Sequence, residues 1–175
     1  PIAAAGKAAG NRVISIIGAR NKDLIIAEAQ MAEVVDEVRI STDDGSAGRH
    51  GLVTDVLKDL MDEGIVPDMI VAIGPLPMMA AVSNQTKEIG IPTMVSLNAI
   101  MVDGTGMCGA CRATVDGKTV FVCVDGPEFD GHLVDFKELG SRQRMYKKQE
   151  EESHKCFLER QMKKMKAEEM KAEVS

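Results

Sequence analysis

The chain has 175 residues, 45% hydrophobic and 27% charged, with 3% aromatic residues, no tryptophan and a formal net charge of −6 at pH 7. This supports an ordinary core spread over one or two small domains, and the acidic balance excludes a basic surface able to neutralise several phosphates, so no nucleic acid is expected as a partner. No apolar run approaches the roughly 18 residues of a bilayer crossing and no leader-like segment precedes the first strand, so no membrane contact is expected and the cytoplasm is the simplest compartment.

Pro1-Ile2-Ala3-Ala4-Ala5 reads as the interior of an Ala-rich helix running to about Ala9, with no initiator Met and no strand before it, as expected of a fragment. Periodicity then predicts a strand Val13 to Ile17, a helix near Asp23 to Val35 and a strand Val38 to Ile40. A helix Val53 to Glu63, a strand Met69 to Ile73, a helix Pro77 to Gly90 and a strand Thr93 to Ser96 follow. Short β-branched runs between amphipathic helices indicate a parallel sheet with crossover helices, so residues 1–98 read as α/β.

In such sheets ligands sit outside the carboxyl ends of the strands. Three loops there stand out: "GARNKD", "STDDGSAGRHG" and "IGPLPMM". Gly18, Gly45, Gly48, Gly51 and Gly74 would let backbone approach a ligand or turn with positive φ, although glycines and paired aspartates also simply make tight turns. Asp43 and Asp44 would accept ribose hydroxyls and repel a 2′-phosphate, favouring NAD(H) over NADP(H), while Arg20 is the counterweight because it would hold a phosphate. A Gly-rich turn opening the first helix is missing, so the fragment is expected to begin just after its pyrophosphate grip.

After Ser96 the chemistry changes. Asp103, Cys108, Cys111 and Cys123 form D-x4-C-x2-C-x11-C, the C-x4-C-x2-C...C spacing of plant-type 2Fe-2S sites with Asp replacing the first cysteine. A reducing compartment keeps thiols free, so clustered cysteines point to metal or redox chemistry. Gly104, Gly106 and Gly109 interleave the ligands and would turn backbone N–H groups toward cluster sulfurs. Ala113 to Val115 and Val120 to Val122 flank Asp116-Gly117, a hairpin signal that would return Cys123 to the loop. Zinc held by three thiolates and a carboxylate is the competing metal; one crowded loop plus a distant cysteine favours iron. Cysteines buried as plain apolar residues are the other alternative. Cys156, alone in a charged helical stretch, reads as structural. Ser141 is expected to cap a terminal helix to Ser175 whose apolar positions are Leu158, Met162 and Met165.

The strings "STDDGSAGRHGLVTDVL", "AIGPLPMM", "MVDGTGMCGACR" and "VCVDGPEFDGHLVDF" resemble the ferredoxin-NADP reductase superfamily, in the branch of the dihydroorotate dehydrogenase electron-transfer subunit. The resemblance is greatest to its sulfide dehydrogenase beta-subunit type, the small-subunit type of NADH-dependent reduced ferredoxin:NADP oxidoreductase. It implies a Rossmann-like NAD-binding domain lacking its first strand (1–98), a 2Fe-2S segment (99–136) and a helical segment (137–175). It also implies cluster ligands Asp103, Cys108, Cys111 and Cys123, with Asp first as in the sulfide dehydrogenase type, and a nicotinamide-side loop from Gly74 through Pro75 and Met78 to Met79. Hydride would pass from NAD(P)H to FAD and electrons onward to a larger partner subunit, with ferredoxin or another carrier as a further partner. The flavin barrel of that family is absent, so FAD is expected in the full-length protein and not here, and the fragment alone is expected to be inactive. The cofactors carry that chemistry, so no catalytic side chain is expected. A zinc-stabilised, non-enzymatic nucleotide-binding or interaction module is the alternative.

Overall fold

The computed structural model describes residues 1–173. The chain divides into two units, Pro1–Ser96 with Asp130–His132, and Leu97–Phe129 with Leu133–Ser175.

The first unit is α/β. Helix α1 (Ile2–Ala8) leads to β1 (Ile14–Ala19), which pairs in parallel with β2 (Glu37–Thr42), and β2 pairs in parallel with the short β3 (Arg49–His50). The Asp36 carboxylate accepts the Val13 N–H at 2.8 Å and also holds Lys7, joining the entries of both strands. The expected helix from Asp23 to Val35 is not continuous. The Asn21 side chain accepts the Asp23 N–H at 3.1 Å and closes a single turn, Lys22–Leu24, and Ala27 sits in the left-handed region at φ 58°. Only α2 (Glu28–Ala32) remains helical, because an Asn-led turn and two β-branched residues break propagation.

Helix α3 (Val53–Asp62) buries Val56, Leu57 and Leu60, one apolar stripe at i, i+1 and i+4, against β1 and β2. The Asp55 carboxylate accepts the Leu52 N–H at 2.7 Å and starts it. Strand β4 (Ile70–Ala72) pairs in parallel with β5 (Thr93–Ser96), and α4 (Leu76–Ile89) connects them, ending on Gly90 at φ 73°. Met79 and Val95 are fully buried where α4 covers β5. The chain returns to this unit at Asp130–His132, where the Gly131 N–H donates to the Thr93 carbonyl at 2.7 Å. The Thr86 hydroxyl lies 3.0 Å from His132 Nε2 and accepts from Thr93 at 2.6 Å, a polar chain that sequence patterning did not single out.

In the second unit β6 (Arg112–Val115) and β7 (Lys118–Phe121) form the expected antiparallel hairpin. Asp116 and Gly117 both have positive φ, 51° and 69°, as a two-residue Asp-Gly turn requires. A single helical turn, α5 (Val122–Asp125), follows, and the Asp125 carboxylate closes it by accepting the Phe121 N–H at 2.6 Å. The short strand β8 (Glu128–Asp130) comes next, and its last residue, Asp130, belongs to the first unit. Then α6 (Phe136–Gln143) runs straight through Gly140 and Ser141, with the Asp135 carboxylate accepting the Glu138 N–H at 2.8 Å. Ser141 is therefore a mid-helix residue and not a cap, since Asp135 offers the cap one and a half turns earlier. The terminal helix α7 starts at Lys147 and runs to Glu173, and the last two positions expected to be helical, 174 and 175, lie outside the described residues. Among the described residues no helix is long and apolar enough to cross a membrane.

Candidate iron-sulfur site and nucleotide face

The four residues singled out by spacing occupy two structural elements of the second unit. Asp103, Cys108 and Cys111 lie on the irregular loop before β6, and Cys123 lies on α5, directly after the hairpin. The hairpin works as expected: the Val122 N–H donates to the Cys111 carbonyl at 3.2 Å, and Cys123 is carried back beside the loop. Gly104, Gly106 and Gly109 all have positive φ, between 64° and 82°. A side chain on Gly106 would come within 3.1 Å of Val124, so the backbone there approaches α5 at a distance that suits glycine.

The donor atoms fall into two pairs. The Cys111 and Cys123 thiols are hydrogen-bonded, Sγ to Sγ, at 3.2 Å. Burial pushes the Cys111 thiol up, but hydrogen bonds from the Cys123 backbone and thiol outweigh it and leave Cys111 below the usual thiol range. Cys123 is pushed up by the same hydrogen bond to Cys111 and by burial. On the other side, the Thr105 N–H donates to the Asp103 carboxylate at 3.0 Å and holds it below the usual carboxylate range, with Cys108 adding to the effect. The Ala110 N–H lies 3.5 Å from Cys108 Sγ. Cys111 is buried, Cys123 half-buried, and Asp103 and Cys108 exposed.

Among the described residues no three of these groups converge on one point as a single metal ion would require. Paired donors are what a two-iron cluster asks for, because each iron takes its own two protein ligands. The donor set, the left-handed loop and the N–H aimed at sulfur therefore fit such a cluster better than a tetrahedral zinc, which needs four ligands around one centre.

The expected nucleotide-binding residues lie on the first unit, at the carboxyl ends of its strands. The Asp43 N–H donates to the Ala19 carbonyl at 3.1 Å, the Asp44 N–H to the Arg20 carbonyl at 3.2 Å, and the Lys22 N–H to Ser46 Oγ at 2.8 Å, so the loops after β1 and β2 form one surface. Arg20, Asp43 and Asp44 are exposed on it. Asp44 is occupied by its own turn, accepting the Ser46 hydroxyl at 2.6 Å and N–H at 2.9 Å, which hold it below its ordinary value. Gly45 is left-handed at φ 73°. Gly18 lies within β1, where a Cβ would fall 2.4 Å from Val53 Cγ1, so its missing side chain is taken up by α3. Gly74 and Pro75 lead into α4, and Met78 lies over Gly74, with its Cε 2.5 Å from where a Cβ would stand.

Two further residues reach the cysteine loop and were not read from the sequence. Arg112 Nη1 donates to the Gly109 carbonyl at 3.2 Å and Arg142 Nη2 to the Ala110 carbonyl at 3.2 Å. Arg112 adjoins Cys111 and was open to notice; Arg142 is 31 residues further on and carries no local signal.

Residues 98–135 match the iron-sulfur cluster binding domain of dihydroorotate dehydrogenase B. The chain is 50% identical over 158 residues to a Thermotoga maritima protein named as a homolog of the dihydroorotate dehydrogenase B (NAD(+)) electron transfer subunit, covering 90% of this chain and 55% of the relative. It is 54% identical over 142 residues to an uncharacterized protein of the adh 3′ region of Clostridium beijerinckii, covering 81% of this chain and 48% of that one. The solved structure of an NADH-dependent reduced ferredoxin-NADP oxidoreductase, a flavin-based electron bifurcation enzyme, superposes with a TM-score of 0.80 at 48% identity over 90% of this chain and 56% of that one. The chain thus spans about half the length of the relatives it matches. The resemblance read from the four sequence strings is borne out: over 90% of its length the chain is similar to a homolog of the dihydroorotate dehydrogenase B electron transfer subunit and to a subunit of the ferredoxin-NADP oxidoreductase structure, and residues 98–135 match the iron-sulfur cluster binding domain.

Proposed function

We propose that this chain is the nicotinamide-nucleotide and 2Fe-2S portion of an oxidoreductase electron-transfer subunit. In that reading Asp103 and Cys108 would hold one iron, and Cys111 and Cys123 the other. When bound, such a cluster supplies a one-electron redox site. The chain's own part is to present one carboxylate-thiolate pair and one thiolate-thiolate pair, to donate the Ala110 N–H to Cys108 and to keep Cys111 away from water. The observation that carries this reading is the pairing of donors, with the Cys111 and Cys123 thiols at 3.2 Å and Asp103 beside Cys108.

The nucleotide would lie over the loops of Gly18 to Arg20, Asp43 to Gly45 and Gly74 to Met78. The exposed Asp43 carboxylate favours NAD(H) over NADP(H). FAD, taking hydride from the nicotinamide, would be bound outside these 175 residues, so this stretch alone would not turn over. A larger oxidoreductase subunit in the cytoplasm would be the partner, with ferredoxin or a similar carrier beyond it. Exposed Phe157, Leu158, Met162 and Met165 on α7 suit docking to that subunit, and truncation at Gly140 should weaken a co-expressed complex.

The test is iron, zinc and acid-labile sulfide on anaerobically purified full-length protein, with spectra before and after dithionite. About two irons and two sulfides per chain, bleaching on reduction, are expected. Asp103→Ala and Asp103→Cys should change cluster content or potential. Zinc without sulfide, or an unchanged cluster in both variants, would count against the assignment.

A further inference from the structure

Two arginines grip the outside of the cysteine loop at consecutive peptide groups. Arg112, at the start of β6, donates to the Gly109 carbonyl, and Arg142, from α6, donates to the Ala110 carbonyl, each at 3.2 Å. A trans peptide is planar, with its C=O and N–H pointing in opposite directions. The Gly109 carbonyl shares its plane with the Ala110 N–H, the group 3.5 Å from Cys108 Sγ. Pinning that carbonyl outward therefore fixes a donor inward. The Ala110 carbonyl shares its plane with the Cys111 N–H in the same way. Gly109, left-handed at φ 64°, sets how the first of these planes turns relative to the peptide before it.

Arg142 is itself held in register, because the Asp135 cap sets the start of α6 and Leu139, 1% exposed, anchors its inner face. Arg112 and Arg142 also line one cavity of about 90 Å³ with Ile100, Val102 and Tyr146. Their guanidiniums are permanently charged and planar, so each holds a carbonyl without any proton exchange.

We propose that Arg112 and Arg142 form an outer clamp that aims two successive backbone N–H groups at the ligand side of the cysteine loop and raises the reduction potential of a 2Fe-2S cluster held there. This rests on the cluster assignment made above. Reduction adds negative charge, and both N–H donors to sulfur and nearby positive charge stabilise the reduced form. The arginines are positioning residues; neither is a ligand.

The experiment is a redox titration of anaerobically purified full-length protein, followed by the electron paramagnetic resonance signal of the reduced cluster, with iron and sulfide measured on every sample. Arg112→Met and Arg142→Met should each load a cluster yet show a reduced-to-oxidised ratio about tenfold smaller at a fixed poise, a shift of about 59 mV for one electron. Arg112→Lys and Arg142→Lys, which keep the charge and one donor, should recover most of it. Loaded methionine variants that titrate like the wild type overturn the clamp even if their cluster content falls. Should Arg142→Met take up no iron, Arg112→Met, altered at an exposed side chain, decides alone. A wild-type protein without iron and sulfide overturns the cluster assignment itself, and is seen before any potential is measured.

Discussion

Gly48→Ala perturbs the loop after β2 at one point. Gly48 has φ +63°, and a Cβ built on it stands 2.2 Å from the Ile40 carbonyl oxygen and 2.7 Å from its carbon. The obstacle is backbone within a paired strand, so it cannot rotate aside. Gly64 supplies the control: its φ is +83° and nothing lies within 4 Å of the same built atom. The left-handed region costs an alanine about 1–2 kcal/mol, and lost freedom of the unfolded chain returns about 0.4–1 kcal/mol. Gly64→Ala should therefore cost roughly 0.5–1 kcal/mol. Gly48→Ala adds overpacking of about 1–3 kcal/mol, for a total near 2–4 kcal/mol.

With no tryptophan in the chain, urea unfolding is followed by far-ultraviolet circular dichroism. The Gly48→Ala midpoint should fall by about 1–2 M, and that of Gly64→Ala by under about 0.5 M. Because Thr42 Oγ1 grips the Ala47 carbonyl at 2.7 Å, moving Gly48 also shifts the turn bearing Asp43 and Asp44, and NADH binding by the full-length protein should weaken. Equal losses in the two variants would refute the close approach of the loop to Ile40.

In protein freed of metal, diamide should join Cys111 to Cys123, whose sulfurs already lie 3.2 Å apart, and peptide mapping that finds Cys108 in the bridge instead would contradict the pairing. Asp135→Ala should cost about 1 kcal/mol by removing the α6 cap, whereas Ser141→Ala, on an exposed mid-helix position, should be close to neutral by the same urea assay. Asp36 is held below its ordinary 3.8 by Lys7 and the Val13 N–H, Asp59 below 3.8 by Arg49, and Glu63 below 4.5 by Arg39. Carboxylates lowered by folding contribute fully above their unfolded values and lose that contribution as pH falls through the folded ones. Stability should therefore be flat from neutral pH to about 5 and decline below about 4; a decline beginning near pH 6 would assign acid sensitivity to other groups.

Local signals were enough wherever one residue type governs one conformation. Thr93 to Ser96 alternates β-branched Thr93 and Val95 with Met94 and Ser96 after Gly90-Ile91-Pro92, and it is a strand with those limits. Asp116-Gly117 needs positive φ twice, and the turn has it. Gly90 stops α4 because a left-handed residue ends a helix at little cost. The stretch 23–35 misled because its apolar spacing suits a helix, while the competing Asn21 turn depends on a single side-chain hydrogen bond. Ser141 misled for the opposite reason: Gly140 looks like a stop, yet it is a buried residue inside a helix that the Asp135 carboxylate has already started upstream.

By itself the amino-acid sequence determined the alternation of strands and helices, the spacing of one carboxylate and three thiols, and the Asp-Gly hairpin turn, since each follows from local pattern along the chain. Only the tertiary structure decided which donors stand together. The Cys111–Cys123 pair, the use of Gly18 by Val53, and the grip of Arg142 on the Ala110 carbonyl join residues 12, 35 and 32 positions apart. Such contacts depend on how α3, α5 and α6 settle on their strands, a property of packed volume that no periodicity in the chain encodes.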